Sequence, residues 1–410
     1  MKKACIISVG NELLAGLTVN TNASYLSREL MAMGIPAVSC YTVGDRIDSI
    51  SRVLSQAAQQ ADIILITGGL GPTDDDLTRQ ALARFLQVEL EFSEELLSRI
   101  SDFFKRRDLK MSEKNKVQAY IPAGARAIAN NVGTAPGIMA ELNDKIFICL
   151  PGVPEEMTQM FARSVSPRLK QAGGGQVVLS RKLNCFGTGE SVIAEKLGNS
   201  MQRNRNPLIN CTVSGGVITL HIVATAADRA IAEDMIEKDS QQLRALLGDI
   251  VYGRDEQTLA EVIGAKLRKL RKSLAVAESC TGGLIGKLLT DVPGSSDYFK
   301  CGWITYSNEV KVRELGVDGA LIEKHGSVSK EVAIAMAEGV LARADTDFAI
   351  AVTGIAGPGG GTEQKPVGLV YIAVTGPGWK DIQRYIFSHS RGHIRYRTAL
   401  TALNMLRLKL

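Results

Sequence analysis

The sequence predicts an α/β protein of two or three domains, and three observations carry that prediction. Its 410 residues exceed the length over which a single hydrophobic core usually keeps growing. The first third alternates short apolar runs with stretches of helical periodicity, the order of a doubly wound sheet. After residue 176 the pattern becomes a small α+β arrangement, and after residue 254 the α/β alternation returns.

The elements follow in order. Ala4 to Val9 reads as a buried strand, and Asn20, Thr21 and Asn22 offer N-caps to a helix that carries Leu26, Leu30 and Met33 inward. Gly34 and Pro36 stop that helix. Val38 to Val43 is a second strand, Ile50, Val53, Leu54 and Ala57 mark a second helix, and Ile63 to Ile66 is a continuous apolar strand of the kind covered on both faces. Helices are expected near 77–87 and 94–106, a less regular stretch over 112–137, a strand from Lys145 to Leu150 and a helix after Pro154. Gly173-Gly174-Gly175 reads as a boundary. Next come a strand (Val177 to Leu183), a helix (Ser191 to Leu197), two strands (Leu208 to Val213, Val217 to Ala224) joined by the turn Ser214-Gly215-Gly216, and a helix from Ile231 to Leu247. Leu259, Ile263, Leu267 and Leu270 line a further helix, and alternating helices and strands lead to a closing helix that ends at Leu410. The expected domains are 1–172, 176–250 and 254–410.

Composition narrows the functional classes. Hydrophobic residues at 45%, charged residues at 22% and aromatics at 5% describe a globular protein, neither disordered nor fibrous. A net charge of +5 is spread too thinly for a nucleic-acid surface. Lys105-Arg106-Arg107 and Arg268 to Lys272 read as solvated helix ends. The seven cysteines are scattered, with no C-x-x-C, mostly inside apolar runs, so reduced thiols and a cytoplasmic location are expected. The first apolar run is too short for a signal peptide, and no span reaches transmembrane length.

Two constellations carry chemistry. In the last domain the run Leu274 to Ala277 stops at Glu278-Ser279 and passes through Cys280-Thr281-Gly282-Gly283 into helical spacing at Leu284, Ile285, Leu288 and Leu289. A strand-turn-helix of this kind leaves a serine hydroxyl beside the unpaired N–H groups of a helix start, a place for a nucleophile. Those ten residues are equally compatible with Ser279 or Thr281 acting only as a helix cap. A serine needs a base, and none of the four histidines (221, 325, 389 and 393) stands in a Ser-His-Asp-like setting. Tyr306-Ser307-Asn308-Glu309-Val310-Lys311 closes the next strand and supplies a lysine that burial could activate and a tyrosine that could relay a proton. A third strand, Phe348 to Val352, discharges into Thr353-Gly354-Ile355-Ala356-Gly357, whose glycines suit an oxyanion or a phosphate. Which glycine turn takes which anion stays open at this stage.

In the first domain the strand ending at Thr67 empties into Gly68-Gly69-Leu70-Gly71-Pro72-Thr73-Asp74-Asp75-Asp76. Glycines admit a phosphate to the backbone, and carboxylates beside it suggest a divalent cation of the Mg²⁺ kind. The alternative is that Asp74 and Asp75 complement a helix dipole. Gly10-Asn11-Glu12-Leu13-Leu14, Gly133-Thr134-Ala135-Pro136-Gly137 and Leu150 to Glu156 are three further turns, and all four are expected to converge on one rim.

These motifs, together with Lys114-Asn115 and Gln118-Ala119, closely resemble the CinA family along the whole chain. The resemblance implies an N-terminal domain with the molybdopterin-binding fold, a KH-like α+β middle module and a C-terminal α/β nicotinamide-nucleotide amidohydrolase domain. Ser279, Tyr306 and Lys311 would be catalytic there. Thr281, Gly282, Gly283, Thr353, Gly354, Gly357 and Arg391 would bind substrate, with no cofactor. The substrate implied is nicotinamide mononucleotide, released as nicotinic acid mononucleotide and ammonia. The first domain is implied to be an ADP-ribose pyrophosphatase, with Gly68, Gly69, Thr73, Asn115, Thr134 and Pro136 on phosphate. Glu12, Asp74 and Asp75 would hold a Mg²⁺- or Co²⁺-type metal, with K⁺ as a further candidate. A homodimer is implied, and neither a membrane nor a nucleic acid is an expected partner. The alternative is a nucleotide- or pterin-binding scaffold with an idle amidase domain. The sequence departs from the family at Phe387-Ser388-His389-Ser390-Arg391, where a glycine and an acidic residue are expected before the arginine.

Overall fold

The computed structural model describes residues 2–172 and 177–410, so the glycine boundary at 173–175 lies outside the described residues. The chain divides into two compact units, residues 1–179 with 224–234, and residues 180–223 with 235–410.

The first unit opens with β1 (Ala4–Val9), α1 (Asn11–Leu14), α2 (Thr21–Ala32), β2 (Ala37–Val43), α3 (Ile47–Gln60), β3 (Ile63–Thr67) and α4 (Thr78–Leu86). Then come β4 (Leu90–Phe92), α5 (Glu94–Lys105), β5 (Tyr120–Pro122), β6 (Arg126–Ile128), β7 (Gly137–Leu142), β8 (Lys145–Leu150), α6 (Pro154–Met160) and α7 (Ser166–Ala172). The main sheet has the order β2-β1-β3-β8-β7-β6, parallel through β8 and antiparallel at β7 and β6. Period-two alternation sends Cys5, Ile7 and Val9 to one core and Ala4 and Ile6 to the core on the other face, so both faces are covered. The stretch 112–137, expected to be irregular, holds β5 and β6 and runs up to β7. Strands of three residues leave no readable alternation.

Next in the chain are β9 (Val177–Cys185), α8 (Glu190–Leu197), β10 (Leu208–Ser214), β11 (Val217–Ala226), α9 (Arg229–Leu247) and β12 (Val251–Arg254), with the sheet order β10-β11-β9-β12. The predicted hairpin is present: Ser214 pairs with Val217 across Gly215 and Gly216, both at positive φ. The rest of the second unit is α10 (Leu259–Leu270), β13 (Leu274–Glu278), α11 (Leu284–Thr290), β14 (Phe299–Ile304), α12 (Asn308–Leu315), α13 (Gly319–His325), α14 (Lys330–Ala344), β15 (Phe348–Gly354), β16 (Leu369–Gly376), β17 (Trp379–Ile386) and α15 (Arg391–Arg407). A capping box between Thr258 and Glu261 starts α10. The sheet order is β14-β13-β15-β16-β17, parallel over the first three strands and antiparallel over the last two. Leu274 and Val276 face the core that includes α10, α11 and α15, while Ala275 and Ala277 face the core built with α14. The chain leaves β13 for β14 on one side and later returns to β15 on the other. Ser279 therefore sits at a topological switch point, outside the carboxyl end of β13, the middle of the three parallel strands, where open α/β sheets form crevices.

Candidate active site

Ser279 follows the last residue of β13, and its N–H donates to the Val352 carbonyl at 3.1 Å, which anchors the turn to the neighbouring strand β15. Lys311, one turn into α12, brings its Nζ to 3.3 Å from Ser279 Oγ. The same nitrogen lies 2.8 Å from the Thr305 carbonyl and 3.2 Å from that of Tyr306. Lys311 is 1% exposed, has no carboxylate partner among the described residues, and burial pushes its pKa below the ordinary lysine value. A neutral amine keeps two N–H donors for these carbonyls and a lone pair for the Ser279 hydroxyl, which is what a general base requires. The adjacent Cys280 is no rival nucleophile, because burial pushes its thiol up to about 12.

The third expected member is placed differently. The Tyr306 side chain is 59% exposed, and its hydroxyl accepts from Arg391 at 3.1 Å. Only its main-chain carbonyl touches Lys311. Arg391 also donates to the Gly357 carbonyl at 2.7 Å, so α15, the glycine loop and Tyr306 are tied into one rim. One turn later Arg395 donates to the Thr281 carbonyl at 2.6 Å. The Thr353 hydroxyl is committed to the Ser327 carbonyl at 2.7 Å and holds a loop, and Gly354 is paired within the sheet opposite Val370. Gly282 and Gly283 take positive φ of 57° and 90°, conformations that side chains disfavour. The N–H groups of Thr281 and Gly283 have no protein acceptor among the described residues, which leaves them free for an oxyanion.

The cap of α11 corrects the sequence reading. Neither Ser279 nor Thr281 caps it; the Glu278 carboxylate accepts from Ile285 N–H at 3.1 Å and Gly286 N–H at 2.8 Å. Those helix-start donors are consequently unavailable to a ligand. Thr281 Oγ1 and Thr305 Oγ1 are buried with no hydrogen-bond partner among the described residues. Glu278 and Thr305 escaped the sequence reading, although a glutamate closing an otherwise apolar buried strand is a signal of an internal acceptor role.

In the first unit, a Cβ on Gly68 would meet the Val9 carbonyl oxygen at 2.2 Å, and one on Gly69 would meet Thr78 Oγ1 at 2.3 Å, so glycine is required at both. Asp76 organises the loop by accepting from Gly71 N–H and Thr73 N–H, each at 2.8 Å. Buried Arg79 donates to the carbonyls of Leu70 and Gly71 at 2.6 and 2.8 Å. Asn115 supports the same loop from behind, through Gln118, which reaches the Leu70 carbonyl. Two of the four turns meet at the end of β3: Glu12, Thr67, Gly152 and Pro154 line one small cavity of about 110 Å³. Thr134 and Pro136 line a different cavity of about 480 Å³ with Arg99, Arg106, Arg107 and Arg163, while the same turn touches the Leu150 to Glu156 turn, where the Glu156 carboxylate accepts from Asn130 and lies over Gly133.

Residues 5–171 match the probable molybdopterin binding domain, residues 180–253 the damage-inducible protein CinA KH domain, and residues 256–410 the CinA C-terminal domain. A CinA-like protein of Dictyoglomus thermophilum is 44% identical over 402 residues, 98% of each chain. The chain belongs to the CinA family. A putative competence-damage inducible protein of Caldicellulosiruptor saccharolyticus is likewise 44% identical over 402 residues, covering 98% of both chains. Among solved structures, the competence/damage inducible protein CihA of Agrobacterium tumefaciens is 42% identical, covering 36% of this chain and 91% of its own, with a TM-score of 0.35. Membership of the CinA family fixes the fold of each part, a molybdopterin-binding-like domain, a KH-like module and the CinA C-terminal domain. No helix among the described residues is long and apolar enough to cross a membrane.

A metal site drawn from the first CinA domain's carboxylates does not fit this arrangement. Asp74 is 96% exposed on its side chain and lies 3.6 Å from Lys114 Nζ. The Thr73 hydroxyl beside Asp75 holds that carboxyl below its usual range. Glu12 folds over Gly10. Among the described residues no group of three or more His, Cys, Asp or Glu side chains is placed to hold an ion.

Proposed function

We propose that the second unit is an amidase that hydrolyses the carboxamide of nicotinamide mononucleotide to nicotinic acid mononucleotide and ammonia. The observation that carries this reading is the buried 3.3 Å approach of Lys311 Nζ to Ser279 Oγ. Neutral Lys311 takes the Ser279 proton as Oγ attacks the carboxamide carbon, and the tetrahedral oxyanion falls to the free N–H groups of Thr281 and Gly283. The proton held on Lys311 passes to the leaving nitrogen, ammonia departs, and an ester to Ser279 remains. Water, deprotonated by the same amine, hydrolyses that ester and regenerates the hydroxyl. Arg391 and the exposed Tyr306 ring support the choice of a nucleotide, offering a guanidinium for phosphate and an aromatic face at one rim.

Ammonia release from nicotinamide mononucleotide, measured for wild type and Ser279→Ala, tests the proposal. Wild type is expected to turn over, and the variant to lose on the order of 10³-fold or more in kcat. Undiminished activity in the variant would sink the mechanism, and no turnover in wild type would favour a scaffold role. For the first unit, the Gly68-Gly69 turn at the end of β3 supports binding of a phosphate such as that of ADP-ribose. Its carboxylates supply no ready donor set for metal-dependent pyrophosphate cleavage.

A further inference from the structure

The second unit contains another built cavity, of about 360 Å³, between the KH-like module and helix α10. It is lined from α9 by Glu237, Ser240 and Arg244, from β9 by Arg181, from β12 by Tyr252 and Arg254, and from α10 by Lys266. Four cations against one carboxylate make an unusual balance for the lining of one open cavity. Arg181 is partly neutralised, at 4.0 Å from Glu237 and 3.7 Å from Asp255. The guanidinium groups of Arg244 and Arg254 have no hydrogen-bond or ion-pair partner among the described residues. Lys266 donates to the Arg407 carbonyl at 3.1 Å, and burial together with the positive charge of Arg407 pushes its pKa down. Ser240 is 4% exposed, and its hydroxyl has no hydrogen-bond partner among the described residues. An orphaned buried hydroxyl is costly to leave desolvated, and cations facing one cavity from α9, β12 and α10 repel one another. Both costs fall when an anion with several acceptor oxygens is present.

We propose that this cavity binds a small phosphate-bearing anion, held by Arg244, Arg254 and Lys266 with the Ser240 hydroxyl as an added donor. Guanidinium forks match phosphate oxygens in geometry. Two guanidinium groups without carboxylate partners among the described residues, with the Lys266 ammonium on the facing helix, call for a multiply charged ligand rather than a single carboxylate. The volume lies at the lower end for ligand cavities, roughly 300–1,000 Å³, which favours a pyrophosphate or phosphate ester over a polymer segment. The ligand would tie α9 and β12 to α10, the helix that leads directly into β13.

Calorimetric titration of the full chain with inorganic pyrophosphate at low ionic strength tests this. The expected result is a saturable site whose affinity falls at least tenfold in Arg244→Gln, and likewise in Arg254→Gln, which reads the same cavity from the strand. Arg391→Gln, at the amidase rim, is expected to leave that site unchanged. The proposal is overturned if wild type shows no saturable heat, if both cavity variants titrate like wild type, or if Arg391→Gln alone removes the binding. Melting curves without ligand verify that each variant is folded; should one fail to fold, the other decides.

Discussion

Lys311 has main-chain carbonyls and the Ser279 hydroxyl as its near partners, so its proton affinity is governed by desolvation against these neutral acceptors. Folding lowers its pKa from 10.5. The unfolded chain then holds the proton more tightly, so the contribution of this group to stability is complete above 10.5 and is lost as pH falls through the folded value. Catalysis needs the neutral form. The expected profile of kcat/KM therefore rises with pH along a limb whose midpoint lies below 10.5, and Lys311→Met abolishes both activity and limb; a limb that persists in the variant would assign it to another group. His389 supplies a second prediction at this scale. It sits at φ 82°, just before the Ser390 cap of α15, where the sequence departs from the glycine expected of the family. His389→Gly is expected to raise stability by about 0.5–1 kcal/mol, measured by denaturant unfolding, because glycine adopts positive φ without the Cβ penalty.

Among the elements, α11 depends on an acceptor from outside itself. Its cap residue, Gly283, offers no side chain, and the Glu278 carboxylate serves two of its first N–H groups. Glu278→Ala is expected to cost about 1–3 kcal/mol by leaving buried donors unpaired, and to lower amidase turnover because the Ser279 turn rests on the same segment; an unchanged unfolding midpoint would refute the capping role. Helix α14 depends on an absent side chain. A Cβ on Gly339 would meet the Leu315 carbonyl oxygen at 2.1 Å, and a backbone oxygen cannot swing aside. Gly339→Ala is therefore expected to destabilise by about 1–3 kcal/mol in the same measurement, against the gain in helix propensity that alanine normally brings.

At the scale of the whole molecule, each unit has its own cores. Calorimetric unfolding is expected to deviate from two-state behaviour, with a calorimetric enthalpy exceeding the van't Hoff value; equality of the two would show a single cooperative block. The sequence by itself determined the parallel centres of both large sheets, because buried strands such as Ile63 to Ile66 and Leu274 to Ala277 are continuous apolar runs. It also determined the Ser279 turn and the search for a lysine base, because an apolar strand ending in Glu-Ser-Cys-Thr-Gly-Gly and the lack of a suitable histidine are local facts. Tertiary structure alone decided the antiparallel pairing of β6, β7, β16 and β17, because a short strand such as β6, a half-exposed one such as β17 and a buried run such as β16 carry no sign of strand direction. It alone set Thr134 and Pro136 in a cavity with Arg99, Arg106, Arg107 and Arg163, gave the cap of α11 to Glu278, and turned the Tyr306 hydroxyl toward Arg391. Those outcomes depend on where side chains distant in sequence meet, and periodicity reports the face a residue occupies without naming its partner across the fold.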